Sequence, residues 1–129
     1  MSTSVLVVDD AAEVRETIAA IFEDLGFEVL QAGGGHDALS VLADEHVELT
    51  LLFTDVQMPG MDGPTLAAEA RKLRPGLKVI FTSALAGRPR GDSPFIAKPF
   101  RRKRLCEVVA QTLGHWGQSE RPGDTSKRS

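Results

Sequence analysis

An early stretch of the chain reads Ser4-Val5-Leu6-Val7-Val8, and Asp9-Asp10 follow it at once. A continuous run of aliphatic residues, without alternating polar positions, is typical of a strand buried on both faces of a parallel sheet. The two carboxylates mark the point where the strand leaves the sheet. A second hydrophobic strand is predicted from Val47 to Thr54, and a carboxylate, Asp55, again follows it. We therefore predict two buried parallel strands, each ending on acidic residues.

Helical and strand-like segments alternate along the rest of the chain. Apolar residues at helical spacing between Val14 and Leu25 predict the first helix, with Gly26 as its C-terminal cap. A second helix is predicted around Ala38, and a third begins at Pro64. Further strands are predicted at residues 27–32, 78–82 and 95–98, and a last helix at 102–113. This alternation predicts an α/β domain with a parallel sheet covered by helices on both faces.

Length and composition limit the class of protein. A chain of 129 residues fits one domain, and the single Cys106 cannot form an internal disulfide. No apolar segment is long enough for a membrane span or a signal sequence, so we expect a cytoplasmic protein that does not bind membranes.

The net charge of −3 conceals a division along the chain. The first sixty residues carry twelve acids and one base, Arg15, whereas the remainder carries fourteen bases and six acids. Both parts fold into one body, so no uniformly basic face is implied and we expect no nucleic-acid partner. The basic run at residues 101–104 is interpreted as a solvated helix start.

Polar residues stand at the ends of four predicted strands. Asp9 and Asp10 follow the first strand and Asp55 the third, while Thr82 and Lys98 end the fourth and fifth. In an open parallel sheet the carboxyl ends of the strands form the ligand site, so we expect these side chains to share one cleft. Asp9 and Asp10 could also simply cap the first helix.

Three ionised carboxylates in one cleft need a cation. Like charges about 4 Å apart repel by about 4 kcal/mol at an effective dielectric constant of 20. Oxygen ligands without histidine or thiolate favour a hard ion, and a small cluster that leaves positions to water and phosphate suits Mg²⁺. A carboxylate beside that ion can act as a nucleophile toward phosphorus, with a lysine to neutralise the phosphoryl oxygens.

At this point the sequence resembles the receiver domain of two-component response regulators, of the single-domain, chemotaxis-regulator-like type. The resemblance spans about residues 4–113 and implies a flavodoxin-like, doubly wound, five-stranded sheet in the order 2-1-3-4-5. It is carried by these motifs in order along the chain: Asp9-Asp10, Asp55, Met58-Pro59-Gly60-Met61-Asp62-Gly63, Thr82 and Lys98-Pro99-Phe100.

The resemblance implies a role for each site residue. Asp55 would accept the phosphoryl group. Asp10 and Asp55 would bind Mg²⁺ directly together with the backbone carbonyl of Gln57, and Asp9 would bind it through water. Lys98 would pair with a phosphoryl oxygen, and the peptide bond from Lys98 to Pro99 is expected to be cis.

The resemblance also implies a switch and a set of partners. Thr82 would move toward the phosphoryl group and Phe95 would fill the space it leaves. The phosphoryl donor would be a phosphohistidine of a sensor histidine kinase or phosphotransfer protein. The signal would pass to a downstream protein or along a phosphorelay. The chain would catalyse its own phosphorylation and slow dephosphorylation, as a monomer or weak homodimer.

Two other functions stay open at this stage. A pseudo-receiver would keep the fold as a phosphorylation-independent interaction module, although the intact Asp55 and Lys98 argue against it. A flavin electron carrier of the same fold is a further alternative, but the carboxylates at the strand ends would repel its phosphate.

The limits of the domain are also predicted. We place the receiver domain at residues 1–114 and a disordered tail at 115–129, where apolar residues are scarce. The connection over residues 83–94 is rich in Gly and Pro, so the helix expected between the fourth and fifth strands is shortened or replaced by a loop.

Overall fold

Strands and helices alternate along the chain in the computed structural model, which describes residues 3–84 and 93–114. In chain order the elements are β1 (Ser4–Val8), α1 (Ala12–Asp24), β2 (Glu28–Ala32), α2 (Gly35–Ala43), β3 (Leu51–Asp55), α3 (Gly63–Leu73), β4 (Lys78–Ser83), β5 (Phe95–Ala97) and α4 (Arg102–Leu113).

The five strands form one parallel sheet in the order β2-β1-β3-β4-β5. Val5 of β1 lies opposite Val29 of β2 on one side and opposite Leu51 of β3 on the other. The strand order changes direction at β1 and β3, so the loops after these strands diverge and leave a crevice at their carboxyl ends. The flavodoxin-like order predicted from the sequence is confirmed.

Apolar side chains fill both faces of the sheet. Successive side chains of a strand point to opposite faces, so a strand covered on both sides is largely apolar, as β1 is from Val5 to Val8. The face under α1 and α4 is packed by Val5, Val7, Ile18, Phe22, Phe27, Leu51, Phe53, Ile80, Ile96, Leu105, Val108 and Val109. The opposite face, under α2 and α3, is packed by Leu6, Val8, Ala32, Ala38, Leu42, Leu52, Met58, Leu66, Ala67, Ala70, Leu77, Val79 and Phe81.

Some strand boundaries differ from those predicted. The predicted third strand began at Val47, but β3 begins at Leu51, because its pairing with β1 starts where Leu51 lies opposite Val5. The fifth strand ends at Ala97, one residue earlier than predicted. Lys98 therefore belongs to the loop that leaves the sheet.

The end of α1 follows the prediction. Gly26 adopts φ 97°, a left-handed conformation that favours glycine, directly after the helix. The chain then turns back so that Phe27 packs edge-on against Phe22, with ring centroids 5.0 Å apart. The cap thus directs the chain into β2.

Two predictions lie outside the described residues: the disordered tail at 115–129, and most of the shortened connection, because residues 85–92 are not described. Within the part of the chain that is described, none of the four helices is long and apolar enough to cross a lipid bilayer.

Candidate functional site

The three aspartates predicted to share a cleft come together at the carboxyl ends of β1 and β3. Asp9, Asp10 and Asp55 each offer a carboxylate oxygen within 4.8 Å of the others. Asp9 and Asp55 are buried, whereas Asp10 is exposed. The strands position them because β1 and β3 are hydrogen-bonded neighbours that end at the same edge of the sheet. We refer to these three residues as the acid cluster.

Lys98 reaches the acid cluster from the loop after β5. Its Nζ donates to Asp9 Oδ2 over 2.7 Å and to Asp55 Oδ2 over 3.3 Å. Burial lowers the pKa of Lys98, but the hydrogen bond and charge of Asp9, together with the charge and hydrogen bond of Asp55, outweigh it and raise the pKa above its usual value. The ammonium is therefore fully charged at neutral pH. The peptide bond to Pro99 is cis, as predicted.

Asp9 also contacts the backbone at the start of α1. Its Oδ1 accepts a hydrogen bond from the backbone N–H of Ala11 over 2.9 Å, and Ala11 is the residue that precedes the helix. The carboxylate of Asp9 is thus engaged both with the start of α1 and with Lys98.

Asp55 is fixed by the loop that follows it. The N–H of Gln57 donates to Asp55 Oδ1 over 3.3 Å. Gly63, the first residue of α3, lies so close that a Cβ there would collide with the backbone oxygen of Asp55. The N–H of Gly63 donates to the carbonyl of Val56 over 2.9 Å. A glycine at the start of α3 thus lets the helix approach the end of β3.

Thr82 lies opposite Asp55 on the neighbouring strand, and Phe95 lies on the strand after that. The buried hydroxyl of Thr82 donates to the backbone oxygen of Ile96 over 2.8 Å, so it is directed toward β5. Phe95 lies in β5 opposite Phe81 and is half-buried against the core face under α2 and α3. The two residues predicted to form a switch are thus near neighbours on adjacent strands.

Three residues around the acid cluster were not predicted to act there. The guanidinium of Arg15 donates to the backbone oxygen of Asp9, the hydroxyl of Ser83 donates to Gln57 Oε1 over 2.6 Å, and Gly63 supports Asp55. Two of them carried a signal in the sequence: Arg15 is the single base among the first sixty residues, and Gly63 ends the motif that begins at Met58.

The donor atoms suit a hard divalent cation. The acid cluster offers carboxylate oxygens, which Mg²⁺ accepts as ligands, and it contains no histidine or cysteine. Both carboxylate oxygens of Asp9 accept hydrogen bonds, from Ala11 and Lys98, and both oxygens of Asp55 likewise accept them, from Gln57 and Lys98.

The fold and this site define a class of protein: a doubly wound α/β domain with an acidic pocket and a lysine at the strand ends. A family model described as "Response regulator receiver domain" matches residues 5–110. The chain therefore belongs to the response regulator receiver domain family.

Individual relatives agree with this membership. The chain is 32% identical over 121 residues to the chemotaxis protein CheY of Bacillus subtilis, covering 88% of this chain and 99% of that protein. It is 36% identical over 119 residues to the sensor kinase CckA of Brucella abortus, covering 87% of this chain but 13% of the kinase. It likewise spans 47% of a probable transcriptional regulator of Porphyridium aerugineum.

Solved structures share the fold. The receiver domain of the hybrid histidine kinase CckA superposes with a TM-score of 0.76 at 36% identity, covering 85% of this chain and 98% of that one. CheY in the CheX-CheY-BeF3-Mg²⁺ complex from Borrelia burgdorferi superposes with a TM-score of 0.76 at 26% identity, covering 84% and 87%.

Proposed function

We propose that this chain accepts a phosphoryl group on Asp55 from a phosphohistidine, with the help of Mg²⁺. The observation that carries the proposal is the meeting of Asp55 with two further carboxylates within 4.8 Å and with Lys98 at 3.3 Å. A nucleophile, a cation site and a fixed positive charge are the groups that phosphoryl transfer to a carboxylate requires.

The chemical step is a displacement at phosphorus. A carboxylate oxygen of Asp55 forms a bond to phosphorus while the phosphorus–nitrogen bond to the donor imidazole breaks, and the bonding electrons return to that nitrogen. Lys98 can pair with a phosphoryl oxygen, because its ammonium already contacts the Asp55 carboxylate. The buried Asp9 keeps this ammonium in place.

The same residues would hold the ion. Asp10, Asp55 and the carbonyl of Gln57 would bind Mg²⁺ directly, with Asp9 acting through water. When bound, the ion would neutralise charge on the phosphoryl oxygens. The CheX-CheY-BeF3-Mg²⁺ complex, which matches this chain in fold at 26% identity and contains Mg²⁺, supports a magnesium ion as the cation.

The signal would leave through a change at β4 and β5. Thr82 donates to β5, so movement of its hydroxyl toward a phosphoryl group would release the carbonyl of Ile96 and change the packing of Phe95. We propose that a downstream protein or the next member of a phosphorelay reads this change, and that a sensor histidine kinase or phosphotransfer protein supplies the phosphoryl group. Similarity to CheY and to the kinase CckA supports both roles.

Intact mass tests the acceptor directly. The protein is incubated with acetyl phosphate and Mg²⁺, and we expect one added phosphoryl group that EDTA prevents. Asp55→Asn should abolish the addition, whereas Asp37→Asn, an exposed aspartate in α2, should leave it unchanged.

Three outcomes would contradict the proposal. Equal phosphorylation of Asp55→Asn would show that another residue is the acceptor. Phosphorylation unaffected by EDTA would exclude the ion. A folded wild-type protein that takes up neither Mg²⁺ nor phosphate would instead be a pseudo-receiver.

A further inference from the structure

Arg15 lies beside the acid cluster and joins three elements of the fold. It is half-buried on α1, and its Nη1 donates to the backbone oxygen of Asp9 over 2.9 Å. Its Nε donates to Oε1 of Gln31 in β2 over 3.1 Å. One guanidinium therefore connects the first helix, the end of β1 and the edge strand β2.

We propose that Arg15 is a positioning residue of the metal site, which holds the peptide between Asp9 and Asp10 in the orientation that Mg²⁺ binding needs. The inference rests on the proposed function, because it requires Asp10 to bind the ion. The carbonyl that Arg15 holds belongs to this peptide. Its orientation therefore sets the direction in which the backbone of Asp10 continues.

The two aspartates differ in how firmly they are held. Asp9 is buried, and its side chain and backbone make hydrogen bonds to Ala11, Lys98 and the carbonyl of Ala32. Asp10 is exposed, so its position depends more on its own backbone. Groups that hydrogen-bond to the residues of a metal site typically change its affinity by about 10- to 100-fold when they are removed.

Arg15 also has an electrostatic effect of opposite sign. A positive charge near three carboxylates competes with a divalent cation, so loss of the charge alone would tighten Mg²⁺ binding. Loss of the hydrogen bond to Asp9 would weaken it. We expect the loss of the hydrogen bond to dominate, and Arg15→Lys, which keeps the positive charge, isolates it from the electrostatic effect. A rise in the Kd for Mg²⁺ therefore indicates loss of the hydrogen bond, and a fall indicates loss of the charge.

The experiment measures the Kd for Mg²⁺ by calorimetry at constant ionic strength in the full chain. We expect Arg15→Met to raise the Kd about tenfold. Arg15→Lys keeps the charge but cannot make both hydrogen bonds of the planar guanidinium, so it should also raise the Kd. Gln31→Leu should raise it less, since the contact to Asp9 remains.

A matched control removes an equal charge elsewhere. Arg102 lies on α4 and pairs with Asp24 at the end of α1, so Arg102→Met should leave the Kd unchanged. Urea unfolding without Mg²⁺ establishes that each variant is folded. At saturating Mg²⁺, the control Arg102→Met should also be phosphorylated by acetyl phosphate at the wild-type rate.

Each outcome decides the inference. Unchanged or tighter binding by Arg15→Met overturns it, and so does Arg15→Lys binding as tightly as wild type. If Arg15→Met does not fold, the Kd for Mg²⁺ is measured for Arg15→Lys and Gln31→Leu instead. An unchanged Kd in both variants overturns the inference. If the wild-type protein binds no Mg²⁺, both this inference and the proposed function are overturned. If the wild-type protein binds Mg²⁺ and the Arg15 variants bind it with the same Kd, the inference alone is overturned.

Discussion

Lys98 and Asp9 stand 89 positions apart in the chain, yet the ammonium of one donates to the carboxylate of the other over 2.7 Å. The contact raises the pKa of Lys98 despite the opposing effect of burial. A raised lysine pKa gives stability that is fully present below the ordinary value of about 10.4 and is lost only as the pH rises through the raised pKa. Near neutral pH the stability that this contact gives is therefore fully present.

Removal of the lysine charge should destabilise the fold. Lys98→Met leaves the buried carboxylate of Asp9 without its cation, and breaking one partner of a buried ion pair reduces the free energy of unfolding by about 3 kcal/mol. Urea unfolding at pH 7 measures the loss, which Mg²⁺ should partly restore. Lys72→Met, in an exposed pair with Glu69, should change it by less than about 1 kcal/mol. Equal effects of both substitutions would contradict the assignment.

A side chain at Gly63 should disturb the acceptor. The Cβ of Gly63→Ala would meet the backbone of Asp55 and Val56, which cannot rotate away as a side chain can. We expect a loss of about 1–3 kcal/mol in unfolding free energy and slower phosphorylation of Asp55. Gly76→Ala is the matched control, because a Cβ there meets no atom within 4 Å. Normal stability of Gly63→Ala would show that α3 can shift away.

Asp62 should stabilise α3 in a pH-dependent way. Its Oδ1 accepts from the N–H of Thr65 over 2.9 Å at the helix start, and hydrogen bonding by Thr65 lowers the pKa of Asp62. The contribution is fully present above the ordinary value of about 3.9 and is lost as the pH falls through the lowered pKa. At pH 7 Asp62→Ala should reduce the unfolding free energy by about 1 kcal/mol.

The pH dependence of the unfolding free energy distinguishes the effect of the charge of Asp62 from that of its capping hydrogen bond. The deficit of Asp62→Ala should shrink as the pH falls below about 4, because wild type loses the charged acceptor there. Asp62→Asn keeps a capping oxygen without the charge, so it should lose less at pH 7 than Asp62→Ala. A deficit for Asp62→Ala that is constant from pH 7 to pH 2 would exclude a contribution from the ionised carboxylate.

Arg74 should affect stability without affecting the site. It donates from Nε to the carbonyl of Leu42 over 3.0 Å and from Nη2 to that of Asp44 over 2.8 Å, at the end of α2. Arg74→Met should lower the unfolding free energy by about 1–2 kcal/mol. The affinity of the Arg74→Met variant for Mg²⁺ should stay at the wild-type value, because α2 ends near the amino ends of the strands, whereas the acid cluster lies at their carboxyl ends. A weaker affinity for Mg²⁺ in Arg74→Met would show that the two ends of the sheet are coupled.

The elements of the fold could be predicted because their patterns are local. β1 is apolar from Val5 to Val8 and β3 from Leu51 to Phe53, and Gly26 stands where a left-handed residue ends α1. The start of β3 could not be predicted in the same way. A hydrophobic segment that starts at Val47 does not show where the neighbouring strand begins, and only the pairing of Leu51 with Val5 sets that boundary.

The sequence by itself determined which side chains reach the carboxyl edge of the sheet, because each acidic or basic site residue directly follows a strand-forming run. Only the tertiary structure decided which of them touch. Lys98 meets Asp9 and Asp55, Thr82 is directed to Ile96, and Arg15 holds the backbone of Asp9. Strand pairing and helix packing set these distances, since each contact joins residues from different elements whose spacing no local pattern records.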